Sequence, residues 1–304
     1  MSKRSSQRAT LGDWISGARL RTLPLAVAPV AVGYGVADAI QSESLPLTLL
    51  ALAVAVFLQI GVNYANDYSD GIRGTDDFRV GPLRLTGAGL ASAKSVHNVA
   101  FTFFGFAAVA GLAIVFITSM WWLIAVGAVC IVAAWFYTGG KRPYGYAGFG
   151  ELFVFIFFGL VATIGTVAIQ VENFFVNPDA VLWASGAAVS MGLFASAVLM
   201  INNVRDIATD TAAGKKTLAV RVGKRWALVI YFVFLWLPMV LLFPYALIFS
   251  AAGFTYGVLF LLIPLTIIVA TAETAKEYVL ALKLTSFAAL AYGLLLSYGL
   301  TVVV

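Results

Sequence analysis

Charge is scarce in this chain. Of 304 residues only 33 are charged, 19 Lys+Arg and 14 Asp+Glu, which is 11%. A soluble domain carries about 25%. Hydrophobic residues make up 62%, and the mean hydropathy is +0.96. That leaves too few polar side chains to cover a globule in water, and disorder, which needs low hydrophobicity, is excluded on the same ground. There is one cysteine (Cys130) and one histidine (His97), which excludes a disulfide framework, a cysteine-based zinc site and a multi-histidine metal site. The basic start MSKRSSQR is not followed by the short apolar run and small-residue cleavage site of a signal peptide. The composition predicts an all-α, polytopic membrane protein.

Apolar runs predict nine transmembrane helices, near 23–40, 45–65, 96–117, 121–138, 149–170, 180–203, 226–248, 252–270 and 281–304. Charge tests the count. With the N-terminus cytoplasmic, the inside segments 1–22, 66–95, 139–148, 204–225 and 271–283 hold all 19 basic residues. The outside loops hold Asp38, Glu43, Glu172 and Asp179 and no Lys or Arg. This is the positive-inside pattern, with the C-terminus outside. It accounts for the basic balance without a nucleic-acid partner. Residues 1–304 read as a single transmembrane domain, with residues 1–12 as a flexible tail.

Sixteen of the 33 charges fall in two inside segments, 66–95 and 204–225. The first opens with NDYSDGIRGTD (66–76), the second follows NNVRDIATD (202–210). Asn66, Asp67 and Asp70 align with Asn202, Asn203 and Asp206, a weak repeat in which each cluster closes an even-numbered span. On a helix, residues three or four apart share a face, so Asp67/Asp70 and Asp206/Asp210 can each aim two carboxylates at one point. Mg²⁺ takes oxygen ligands, often one or two carboxylates plus phosphate oxygens and water. Two facing pairs suit two or more Mg²⁺ ions bridged by a diphosphate. Arg79, Arg84, Lys215, Lys216 and Arg221 flank the pairs and can take the remaining phosphate oxygens. The active site is therefore expected at the cytoplasmic helix ends. Lys94, Lys224, Arg225, Lys276 and Glu277 read as solvated loop charges.

The two motifs resemble the aspartate-rich motifs of the UbiA superfamily of membrane prenyltransferases, whose nine helices match the span count. RVGPLRLTG (79–87), ARLRTLPLAVAPV (18–30), GKKTLAVRVG (214–223) and YTGGKRPYGYAGFGELFVFIFFG (137–159) are similar to the 1,4-dihydroxy-2-naphthoate prenyltransferases of menaquinone synthesis. So is the first motif, where Gly74 replaces a third aspartate and Asp76 follows. The resemblance implies a bacterial cell membrane enzyme that uses Mg²⁺, a polyprenyl diphosphate and an aromatic acceptor. The prenyl group passes to dihydroxynaphthoate, CO₂ is lost, and demethylmenaquinol forms.

Within that reading, Asn66, Asp67, Asp70, Asp76, Asp206 and Asp210 are the expected metal ligands. Arg79, Arg84, Arg205 and Lys215, then Lys141, Arg142 and Arg221, with Asn203, are expected at the diphosphate. Tyr68, Tyr137 and Tyr144 are candidates to shield a cation-like prenyl fragment. Arg19 and Arg21 either bind an acceptor carboxylate or diphosphate, or snorkel. Glu151 either orients a phenol or is structural. His97 anchors its span or acts as a base. Three alternatives stay open: a related prenyltransferase with a hydroxybenzoate, homogentisate, sugar-phosphate or haem acceptor; a secondary transporter; and a CDP-alcohol phosphotransferase.

Overall fold

The computed structural model describes residues 9–74 and 84–302, which are helical with short connections and, among the described residues, contain no strand. A short helix α1 (Leu11–Gly17) is capped by Thr10 and Asp13, whose side chains bond each other's backbone amides. It therefore starts inside the segment expected as a tail. The chain then bends by 47° into α2 (Pro24–Ala39). The break falls between Thr22 and Pro24; a few residues earlier Arg19, a non-glycine residue, is held at φ 54°. There follow α3 (Leu45–Ile72), α4 (Ala93–Thr118), α5 (Leu123–Phe136) and α6 (Gly150–Ala168). The second half holds α7 (Pro178–Arg205), α8 (Ile207–Ala212), α9 (Leu218–Leu241), α10 (Ser250–Thr271) and α11 (Ala275–Thr301).

Among the described residues seven helices are long and apolar enough to cross a membrane, or eight if the bent α1–α2 pair is one span. The difference from the expected nine lies in α5. It is apolar throughout but has only 14 residues, a rise of about 21 Å against a hydrocarbon core of about 30 Å. Large apolar side chains stand fully out from the bundle, among them Phe260, Phe116 and Val109. Such surface is stable only against lipid.

Helix α7 is the central element: 78% of its most apolar stretch is buried, against 17% for α3. It packs on α6 and α9. At the α6 crossing a Cβ on Gly159 would lie 2.5 Å from Gly192 Cα, so the two backbones touch. Around this contact α6 is wound wide, as a π-helix over Phe155–Ile164. Three apolar clusters result among the described residues. The largest gathers around α7 with α2, α9, α10 and α11; a second joins α1, α3 and α4 through Tyr64, Ala100 and Phe104; the third is Leu47, Ile114 and Ile169. Helices α2 to α7 ring a cavity of about 620 Å³.

Candidate active site

Helices α3 and α7 each have 28 residues, and each ends on one of the two motifs. Both therefore deliver their polar ends to the same mouth of the cavity. Asn66, Asp70, Arg84, Asn202, Asn203, Asp206, Asp210 and Lys215 line that mouth. Below it the walls are apolar, from Leu58 and Val62 through Ala107, Ile131 and Phe157.

Asp70 is buried and heavily bonded. It pairs with Arg84, accepts the Tyr146 hydroxyl, and receives Lys215 Nζ at 3.2 Å. Lys215 Nζ is also 3.9 Å from Asp210, so one ammonium stands between the two motifs. Arg205 forks onto Asp206 at 2.7 and 2.5 Å and reaches Asn202 at 2.9 Å. The cations expected at a diphosphate thus hold the carboxylates instead, which relieves their mutual repulsion. Tyr146 has its ring between Lys215, 4.5 Å from the centroid, and Arg73, 5.5 Å away. Arg73 in turn donates to the Thr138 and Gly140 carbonyls, tying the end of α3 to the end of α5. Sequence reasoning picked out neither Tyr146 nor Arg73. Tyr146 follows Pro143 and Gly145 in the turn after α5, and its spacing carried no signal.

Asp67 does not face the cavity. Its two oxygens accept the amides of Leu85 (2.8 Å) and Thr86 (2.8 Å). It is 2% exposed and fixes the returning loop. The carboxylate pair expected on α3 is replaced by Asn66 and Asp70, four residues apart. Asn66 accepts Thr138 Oγ1 at 2.7 Å. On α7 Asn203, which aligns with Asp67, donates to Glu151 Oε1 at 2.8 Å. Glu151 itself is buried behind the cavity wall.

The remaining expectations divide. Arg19, Tyr137 and Tyr144 line the cavity. Tyr144 donates to the Ala133 carbonyl at 2.8 Å and stacks on Phe153. Burial pushes its phenol up from the ordinary value, so it stays protonated. Tyr68 instead stacks with Trp135 and meets His97 at 5.0 Å, in an aromatic cluster outside the cavity. That places His97 as an anchor of α4. Lys141 and Arg142 are exposed, away from the lining. Arg221 is exposed and donates to the Lys216 carbonyl at 3.0 Å. Asp76 and Arg79 lie outside the described residues.

Mg²⁺ is the metal this chemistry implies. Among the described residues no three carboxylate, imidazole or thiol groups form a metal cage. The donors present fit Mg²⁺ in another way. Each motif brings one or two carboxylates and an amide to the mouth, a half-site that substrate phosphate and water complete.

A polar, carboxylate-rich mouth above an apolar chamber, inside a bundle of membrane-length helices, is a site with one polar and one apolar end. The chain belongs to the UbiA prenyltransferase family, whose model matches residues 26–287. It is 55% identical over 216 residues to the 1,4-dihydroxy-2-naphthoate octaprenyltransferase of Mycobacterium tuberculosis, covering 71% of each chain. The Escherichia coli protein of the same name is 38% identical over 218 residues, covering 69% of this chain and 68% of that one. In fold, the chain is similar to a UbiA homolog from Archaeoglobus fulgidus solved with GPP and Mg²⁺. The TM-score is 0.66 at 15% identity, covering 94% of this chain and 99% of that one.

Proposed function

We propose that this prenyltransferase moves a polyprenyl group from polyprenyl diphosphate to 1,4-dihydroxy-2-naphthoate. The acceptor carboxylate leaves as CO₂, diphosphate is released, and demethylmenaquinol forms. The observation that carries the reading is the continuity of the mouth and the chamber: the same cavity offers Asp70, Asp206 and Lys215 at one end and an apolar wall at the other. An amphiphilic diphosphate needs both. The acceptor is that of the relatives from Mycobacterium tuberculosis and Escherichia coli. We further propose nine spans, with α5 and its flanking turns completing the ninth, and a mouth facing the cytoplasm.

When bound, Mg²⁺ would supply Lewis-acid stabilisation of charge on the departing diphosphate. Asn66, Asp70, Asp206 and Asp210 are the residues to hold it. Arg84, Arg205 and Lys215, now on carboxylates, stand where they can share their donors with phosphate oxygens. Tyr137 and Tyr144 present aromatic edges and faces to the upper chamber and keep water from a cation-like prenyl carbon. The apolar walls seat the chain.

The test is purified protein with Mg²⁺, one polyprenyl diphosphate, and separate aromatic acids. The expected result is a prenylated product and CO₂ from dihydroxynaphthoate alone, abolished by a chelator. Product solely from 4-hydroxybenzoate would overturn the acceptor assignment.

A further inference from the structure

Below the motif, α3 carries two more polar residues on the cavity side, Asn63 and Gln59. With Asn66 and Asp70 they form a ladder that descends about 16 Å into the membrane. Buried amides at that depth are costly unless bonded. Asn63 is accounted for, because its Nδ2 donates to the Ala18 carbonyl at 2.9 Å. Gln59 is not fully accounted for.

The hydrogen-bond polarity around Gln59 is fixed. Thr22 Oγ1 donates to the Arg19 carbonyl at 2.9 Å. A hydroxyl has one hydrogen, so toward Gln59 the same oxygen can only accept. It lies 3.0 Å from Gln59 Nε2, which must be the amide nitrogen. The Gln59 oxygen is therefore left on the other side. Gln59 is 7% exposed and its Oε1 has no donor among the described residues. The residue lines the cavity beside Thr22, Arg19 and Asn63.

Resting on the proposed prenyl transfer, we propose that Gln59 Oε1 is the hydrogen-bond acceptor for one hydroxyl of the aromatic acceptor. The alternative occupant of that wall, a prenyl chain, has no hydrogen to give and would leave the oxygen unbonded. A hydroxylated ring satisfies it. The position suits the reaction. A diphosphate held at Asp70 and Asp206 puts its allylic carbon just below them, and a ring in contact with that carbon lies along the next two turns of α3. Gln59 stands two turns below Asn66. Thr22, bonded to the Arg19 carbonyl before α2, is the positioning residue that holds the amide nitrogen and so fixes which way the buried oxygen faces. A site built around a hydroxyl discriminates strongly against the ring that lacks it, because the protein group is then stranded.

The test uses the full-length protein in nanodiscs with Mg²⁺ and one polyprenyl diphosphate. Dihydroxynaphthoate is compared with its two monohydroxy analogues, each lacking one hydroxyl. In wild type one analogue should fall much further than the other. Gln59→Leu should lower kcat/KM for dihydroxynaphthoate by at least about tenfold, mainly through KM. It should leave the poor analogue within about twofold, so that the preference collapses for that one hydroxyl. Binding of a non-reactive prenyl thiodiphosphate should be unchanged. If Gln59→Leu does not fold, Thr22→Val, which removes the orienting acceptor, should erode the same preference. Equal losses on all three rings, or none, would overturn the assignment. Failure of the functional reading looks different, since wild type would then prenylate no dihydroxynaphthoate at all.

Discussion

Asp67 and Asp70 stand within one turn of α3, yet their surroundings assign them opposite tasks. Asp70 meets cationic side chains at the cavity mouth; Asp67 meets backbone amides. Replacing Asp67 by Ala leaves two buried donors unbonded. The expected cost is about 2–5 kcal/mol of stability, since hydrogen bonds to charged groups are the strong ones. A melt of the detergent-solubilised protein should show a clear drop in Tm for Asp67→Ala and little change for Asp210→Ala, which lies at the rim. The sequence made Asn66, Asp70, Asp206 and Asp210 legible because their spacing is helical. It could not separate Asp67 from Asp70, because both three and four residues count as one face. Nor could it show Tyr146, whose role comes from a turn that folds back over Asp70.

Among the elements, α5 carries the most information about substrate passage. It is short, and its residues from Leu123 to Ala134 include much of the apolar cavity wall. The lone cysteine, Cys130, is one of them, only partly buried. It therefore reports on the chamber. A membrane-permeant maleimide should modify Cys130 in the free protein, and a bound prenyl thiodiphosphate should slow that modification by at least about tenfold, read by intact mass. Equal rates would place the prenyl chain elsewhere. Hydropathy located every apolar segment, α5 included. It could not foresee the 47° bend between Thr22 and Pro24, the helix break at Gly223 (φ 77°) or the π-winding of α6. The last of these sits at the Gly159–Gly192 crossing, a tertiary contact that no local pattern encodes.

At the scale of the molecule, the two motifs make one site only when the bundle is closed. Helices α3 and α7 belong to different apolar cores, and Lys215 bridges Asp70 and Asp210 across the mouth. Neither half holds a full metal cage. A divalent ion is therefore expected to bind with the diphosphate rather than ahead of it. The direct measurement is Mn²⁺ binding by electron paramagnetic resonance, with and without a non-reactive prenyl thiodiphosphate. The expected result is weak binding alone and at least about a hundredfold tighter binding with the analogue. Asp70→Asn and Asp206→Asn should each abolish the gain. Tight Mn²⁺ binding without the analogue, or a gain that survives in either variant, would contradict the shared half-site account.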